Sequence, residues 1–183
     1  CISTDIWTPT YLSKSRKLEG NCWDLSGNGF RVTDGNLFIQ VQNDPPVSGT
    51  MSMLVPQTGN IKFDLKIDIF TTGESNNLVF GIGTSEGWLT SGEFVFYRPT
   101  ASKIYVVQGT SVLEYGNTIS NYKLGSTDTL EFQLNATSFD IYLNGTIAAS
   151  SLFLPDSPVF WIGFRFSEES KIAAIISNFS VQK

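Results

Sequence analysis

Histidine is missing from this sequence: none of the 183 residues is a histidine. The absence excludes three kinds of site, namely a Ser-His-Asp triad, a Cys-His nucleophile pair and a zinc site with histidine ligands. Any general base would therefore have to be a carboxylate, a lysine or a tyrosine.

Charged residues are also scarce. They make up 16% of the chain, and 12 lysines and arginines against 17 aspartates and glutamates give a net charge of −5. The basic cluster Lys14, Arg16 and Lys17 is interpreted as a solvated loop, so we expect no nucleic-acid partner. No apolar run approaches the ~18 residues that a membrane-spanning helix needs, so we expect no transmembrane segment.

Cysteine is limited to Cys1 and Cys22, and three interpretations of the two stay open. A disulfide between them would close a loop of about 20 residues and stabilise the chain by roughly 3 kcal/mol. Alternatively, Cys1 carries the lipid anchor of a mature bacterial lipoprotein, or both are ordinary thiols. Because the first two interpretations require export, we expect an extracellular or cell-surface protein, and we favour the disulfide.

Asn-x-Ser/Thr sequons begin at Asn135, Asn144 and Asn178. Such sequons permit glycosylation in an exported protein without demonstrating it. Asn135 and Asn144 are the glycosylation candidates, because Asn178 falls within a predicted strand.

Short strand-like segments are what the sequence has in quantity. The segment from Ile61 to Phe70 is the clearest, because apolar residues alternate there with Asp64, Lys66 and Asp68. Similar segments recur about every 10 to 15 residues with turn signals between them, which predicts an all-β antiparallel sandwich or barrel. We expect a single domain, with an irregular N-terminal segment at residues 1–27 packed on a sandwich formed by residues 28–183.

The order of four segments in the C-terminal half carries a family resemblance. They are Leu130–Leu134, Phe139–Gly145, Phe160–Phe164 and Ile176–Val181. This order resembles the concanavalin A-like superfamily of laminin-G, pentraxin, glucanase and lectin-like sandwiches. The resemblance implies an all-β jelly roll of two stacked antiparallel sheets, with a concave face that often binds or cleaves glycans. It implies no catalytic activity, because the Glu-x-Asp-x-x-Glu strand of the glucanases and the histidines of other branches are missing.

Paired carboxylates would be needed for a glycosidase. Asp64 and Asp68 lie four residues apart on one strand, which is ~13 Å and too far for a retaining mechanism. Glu131 and Asp140 fall on neighbouring predicted strands, without a local signature. We interpret all four as solvated surface and keep a glycosidase or lyase without the usual motif as a third alternative.

Aromatic residues on the outward side of strands are the candidate binding residues. Trp161 and Arg165 alternate with large apolar residues that are expected to be buried. Gly163 lies between them and, because it has no side chain, is expected to open a hollow. Tyr97 and Tyr105 are expected on the same concave sheet, and Trp88 lies in a glycine-rich loop. Tryptophan stacks on apolar faces and arginine donates a planar fork of hydrogen bonds, which together suit a sugar. The competing interpretation is a second apolar layer that packs within the protein.

These observations predict a non-catalytic, lectin-like carbohydrate-binding module of an exported or cell-surface protein, with an oligo- or polysaccharide as its partner. The alternative is a structural or protein-interaction domain of a surface assembly or adhesin, without a sugar site. No cofactor is expected. A structural calcium ion at Asp34 and Asn178 is considered but not predicted, because an asparagine adds no negative charge.

Overall fold

The computed structural model describes the backbone of residues 24–27, 30–33, 36–42, 47–70, 77–83, 93–98, 103–108, 111–116, 124–156, 158–166 and 171–182. Within these ranges, side chains are described for residues 36–40, 55–68, 80–83, 124–156, 158–160, 162 and 173–182. All regular structure in these ranges is β-strand. Accordingly, the described residues contain no helix able to cross a membrane.

Fourteen strands make up the described chain. They are β1 Asp24–Gly27, β2 Phe30–Thr33, β3 Asn36–Gln42, β4 Val47–Leu54, β5 Thr58–Phe70, β6 Asn77–Gly83, β7 Glu93–Arg98, β8 Lys103–Gln108, β9 Ser111–Gly116, β10 Thr127–Asn135, β11 Ser138–Leu143, β12 Thr146–Phe153, β13 Val159–Phe166 and β14 Lys171–Gln182.

Two seven-stranded sheets are formed. The front sheet has the order β1-β4-β13-β6-β7-β8-β9, and the back sheet has the order β12-β11-β10-β5-β14-β3-β2. Every strand pairing within them is antiparallel. The predicted all-β, two-sheet antiparallel sandwich is therefore confirmed.

The core lies between the sheets, and the alternation of apolar and polar residues is clearest in β10 and in the middle of β5. In β10 every second side chain is buried, including Leu130, Phe132 and Leu134, while the residues between them are partly exposed. The predicted one-sided strand is confirmed in β5, where Phe63 and Ile67 are fully buried.

Aromatic rings join the two sheets at the centre of the core. The ring of Phe63 in β5 lies 5.7 Å from that of Phe179 in its own sheet, measured between centroids. Across the sandwich, it lies 5.2 Å from Phe80 and 6.1 Å from Phe160 of the front sheet. Phe132 meets Phe160 edge-on at 5.3 Å. Such pairs stabilise a core beyond the area that they bury.

A hairpin turn at Asn144-Gly145 joins β11 and β12. Both residues have positive φ, 50° and 77°, and Leu143 pairs with Thr146 across this two-residue loop. This is the backbone that an Asn-Gly turn favours, since right-handed strand twist matches a turn with two positive φ values.

Several short strands fall where the sequence shows no clear alternation. β1 pairs with β4 through Asp24–Gly27, inside the segment that the sequence predicts to be irregular. In β12, buried residues do not alternate with exposed ones, since Ala148 and Ala149 are both buried, because the register of this strand with β11 shifts. A four-residue strand or a bulged strand is too short or too irregular to give a period of two.

Candidate functional site

Asp64 is held on the outer face of the back sheet, the face turned away from the core. Its carboxylate accepts hydrogen bonds from Thr129 Oγ1 at 2.6 Å and from Asn178 Nδ2 at 2.7 Å. Asn178 has a φ of 51° and lies where the β14–β5 register shifts between Ser177 and Ser180. One oxygen of Asp64 therefore holds a β-bulge of the neighbouring strand.

Two other aspartates hold irregular points in the same way. Asp140 Oδ1 accepts a hydrogen bond at 2.7 Å from the backbone nitrogen of Ser151, a residue with a φ of 55° in β12. The buried Asp128 accepts a hydrogen bond at 2.8 Å from Asn144 Nδ2 in the hairpin turn. These carboxylates stabilise backbone conformations that L-residues adopt at a cost.

Glu131 and Asp140, the adjacent acid pair noted in the sequence, are both engaged in such contacts. The register puts Glu131 opposite Tyr142 and Asp140 opposite Gln133, so the two are diagonal neighbours. Glu131 lies 3.8 Å from Lys62 Nζ and accepts a hydrogen bond from Gln133 at 3.0 Å. The arrangement is that of a hydrogen-bonded surface rather than a cleft flanked by two carboxylates.

Metal-ligating residues do not cluster in the described part of the chain: it contains no group of three or more acids and cysteines. Asn178, one of the two positions considered for calcium, directs its amide nitrogen to Asp64. The other position, Asp34, lies outside the described residues.

The strand β13, which lies between β4 and β6 in the front sheet, carries the candidate residues Trp161 and Arg165. Phe160 and Ile162 of this strand are fully buried in the core. Because successive residues of a strand alternate between its faces, Trp161, Gly163 and Arg165 occupy positions on the opposite, outer face.

The neighbours of Trp161 are small. Its register partners are Ser52 on β4 and Gly81 on β6. Gly163 is flanked by Thr50 and Val79. On both neighbouring strands, the residue opposite Trp161 therefore has a small side chain or none.

Tyr105 shares the face of Trp161, and Tyr97 does not. Tyr105 pairs with Phe96, which pairs with Val79 of the outer face. Tyr97 pairs with Leu78, two residues from the buried Phe80, so its position belongs to the core side. The register therefore corrects the expected grouping of Tyr97 with Trp161.

Two basic residues at positions on this face were not among the predicted binding residues. Arg98 and Lys103 face each other across β7 and β8 and have the same parity as Phe96 and Tyr105. The alternation in β7 places Phe96 and Arg98 on one face and Tyr97 on the other. Because both faces carry an aromatic residue, the sequence does not indicate which of them is the outer face. The face of such a strand becomes known only from its pairing partners.

Of the remaining predicted site residues, some lie within the described ranges and others do not. Trp88, Cys1 and Cys22 lie outside them. Asn135 is exposed at the end of β10. Asn144 is also exposed, but its Nδ2, the atom to which a glycan would be attached, donates to Asp128. Asn135 is thus the less constrained glycosylation candidate.

Comparison with known proteins identifies the fold. No family model matches the sequence, and the search of curated proteins found no match. Among solved structures, a sialidase is 14% identical with a TM-score of 0.64, over 88% of this chain and 17% of the sialidase chain. The chain thus spans about a sixth of that protein.

Two smaller structures match over nearly their whole length. The carbohydrate-binding module CBM66 from Bacillus subtilis is 11% identical with a TM-score of 0.57, over 88% of this chain and 96% of that one. The carbohydrate recognition domain of Emp47p is 9% identical with a TM-score of 0.65, over 99% and 96% of the two chains. Together with the two antiparallel sheets, these similarities show that the chain has the concanavalin A-like jelly-roll fold.

Proposed function

We propose that the chain is a non-catalytic carbohydrate-binding module that binds a glycan on the outer face of the front sheet. The observation that carries the proposal is the arrangement of β13: Trp161, Gly163 and Arg165 alternate with the buried Phe160 and Ile162. A sugar ring would stack on the tryptophan and accept hydrogen bonds from the arginine.

The neighbouring strands supply further aromatic positions. Phe96 and Tyr105 are opposite each other on β7 and β8, one and two strands beyond β6 on the same face. An extended run of aromatic positions suits a chain of sugars, because each ring offers a flat surface. Two structures of similar fold carry carbohydrate binding or carbohydrate recognition in their names, which supports the same class of ligand.

The contacts of the acids support a non-catalytic role. Glycosidases need two carboxylates on either side of the scissile bond. On the back sheet, Asp64, Glu131 and Asp140 instead bind neighbouring side chains or backbone. The proposal includes export of the protein and, because disulfides form in oxidising compartments outside the cytosol, a Cys1–Cys22 disulfide.

Glycan binding by the wild type and by Trp161→Ala tests the proposal. Each protein is applied to a glycan array, and the affinity for the best ligand is then measured by calorimetry. We expect Trp161→Ala to weaken binding by tenfold or more, which corresponds to about 1.4 kcal/mol. Thermal unfolding of both proteins establishes that the loss is not a loss of fold.

Phe153→Ala is the matched control, because Phe153 is a 53% exposed aromatic residue on β12 at the edge of the back sheet. It should leave glycan binding unchanged. Equal binding by wild type and Trp161→Ala would move the site away from β13. A folded wild type that binds no glycan would contradict the proposed function.

A specific observation favours a second candidate function, protein interaction through β12. This edge strand carries the exposed Ile147 and Phe153, 48% and 53% accessible. Exposed apolar residues on an unprotected strand edge are typical of strand-addition partners. In this case, Phe153→Ala would reduce concentration-dependent association in sedimentation experiments, and Trp161→Ala would not.

A further inference from the structure

Three basic residues fall into one cross-strand row on the outer face of the front sheet. Arg165 pairs with Ser48 and Asn77, and Arg98 pairs with Lys103. Because Leu78 pairs with Tyr97, the same register brings Asn77 of β6 beside Arg98 of β7. The row Arg165, Arg98 and Lys103, hereafter the basic row, therefore runs across β13, β7 and β8.

A like-charged pair directly across two strands is unfavourable for folding. Arg98 and Lys103 form such a pair by register. On the back sheet, by contrast, Lys62 lies 3.8 Å from Glu131 and Lys66 lies 2.9 Å from Asp68. By register, the basic row thus gathers positive charge in a chain whose net charge is −5.

Acidic positions on the same outer face lie outside the row. Asp24 is on the edge strand β1, opposite Ser52, in the row of Trp161. Glu114 is on the other edge strand, β9, opposite Tyr105, and is the diagonal neighbour of Lys103. The two arginines, on more central strands, have no acid among their register partners.

We propose that the glycan bound by the front sheet is anionic and that the basic row holds its carboxylate or sulfate groups. This inference rests on the carbohydrate-binding function proposed above and names the class of its ligand. Arginine suits the role because its planar fork donates two parallel hydrogen bonds to a carboxylate or a sulfate-like oxyanion. Asn77, between the arginines, adds a neutral donor and acceptor.

The spacing of the positions fits one extended ligand. Neighbouring strands are ~4.8 Å apart, so the basic row spans roughly 14 Å from β13 to β8. The aromatic positions Phe96 and Tyr105 precede or follow the row by two residues on their strands, roughly 7 Å away. A polysaccharide lying across the sheet can therefore stack on the aromatic residues and present its anionic groups to the row.

Binding to three polysaccharides tests the inference: polygalacturonate supplies carboxylates, dextran sulfate supplies sulfates, and dextran is neutral. We expect wild type to bind one or both anionic polymers at least tenfold more tightly than dextran. The double variant Arg98→Gln/Arg165→Gln should lose that preference. Raising the ionic strength from about 0.01 M to about 0.15 M should weaken the anionic interaction, because the Debye length falls from ~30 Å to ~8 Å.

The matched control is Lys62→Gln/Lys66→Gln on the outer face of the back sheet. Each double variant removes two positive charges and changes the net charge from −5 to −7. We expect the lysine control to retain the preference for anionic polymers. Equal losses in both double variants would overturn the inference, because they would reflect net charge alone.

A charge-preserving variant separates the effect of positive charge from that of guanidinium geometry. Arg98→Lys/Arg165→Lys keeps the positive charge but removes the planar forks, and we expect it to retain only part of the preference. If the double glutamine variant loses the preference fully but unfolds at the same temperature as wild type, the loss reflects ligand recognition and supports the inference.

The outcomes also distinguish this inference from the proposed function. If Trp161→Ala abolishes binding to a neutral glycan while the arginine variant leaves it unchanged, the module binds carbohydrate and the inference of an anionic ligand is wrong. If wild type binds only dextran sulfate, the ligand class is sulfated, and if it binds only polygalacturonate, the class is carboxylated.

Discussion

The outer faces of the two sheets use charge differently. On the back sheet, lysines lie beside acids, as Lys66 does beside Asp68 at 2.9 Å. On the front sheet, the register sets Arg98 against Lys103. The first arrangement favours the fold and the second opposes it.

The acids of the back sheet have a structural task. Asp64 and Asp140 each accept a hydrogen bond from a bulged residue with positive φ, Asn178 and Ser151 respectively. Acidic residues on the surface of a sheet can therefore stabilise irregular points of its own strands. The described acids of the back sheet thus serve the architecture of that sheet, whereas the register of the front sheet sets like charges opposite each other.

The largest expected effect comes from the core that both faces share. Phe63→Ala removes a fully buried ring that contacts rings from both sheets. We expect the free energy of unfolding to fall by about 3–5 kcal/mol, because the deletion leaves a cavity as well as losing apolar contact. Urea unfolding measures it. Phe63→Leu should cost less, and a similar small cost for both would mean that the core collapses around the cavity.

A smaller effect is expected at the structural acids of the back sheet. Asp64→Ala leaves Thr129 Oγ1 and Asn178 Nδ2 without their acceptor. We expect unfolding free energy to fall by about 1–2 kcal/mol, since hydrogen bonds to charged groups are the stronger ones but this site is only partly buried. Glycan binding should not change.

Asp68→Ala is the control for that variant. Its ion pair with Lys66 joins two side chains that are about 40% exposed, and we expect a loss of no more than about 0.5 kcal/mol. If the two aspartate variants cost the same in urea unfolding, the hydrogen bonds of Asp64 are not what holds the β14 bulge.

The sandwich could be predicted from the sequence because its long strands are one-sided. Along Ile61–Ile69 of β5 and Leu130–Leu134 of β10, apolar and polar residues alternate at every position, and this period of two is typical of a strand with one buried face. The Asn144-Gly145 turn was predictable for a local reason, since two positive φ values are needed there.

The placement of site residues could not be predicted to the same extent. Tyr97 lies in a strand with aromatic residues on both faces, so its side is set by its pairing with Leu78. The bond from Asn178 to Asp64 joins residues 114 positions apart. Such relations depend on which strands become neighbours, and no local pattern encodes that choice. The roles of Trp161, Arg165 and Tyr105 in binding stay predictions.

Two small effects test the comparison of the two faces most directly, because they should have opposite signs. Arg98→Glu would place an acid opposite Lys103, and Lys62→Glu would place one opposite Glu131. We expect the first to raise the unfolding free energy and the second to lower it, each by about 0.2–1 kcal/mol.

Both variants change the net charge from −5 to −7, so a general effect of charge would move both in the same direction. Urea unfolding at low ionic strength measures the difference, and added salt should shrink it. If Arg98→Glu also destabilises the protein, then Arg98 is already balanced by an acid in the folded chain. The basic row would then have a structural explanation, and the front sheet, like the back sheet, would pair its basic residues with acids. If Arg98→Glu instead raises the stability and abolishes binding to anionic glycans, then the pair Arg98 and Lys103 is unfavourable for folding but needed for ligand binding.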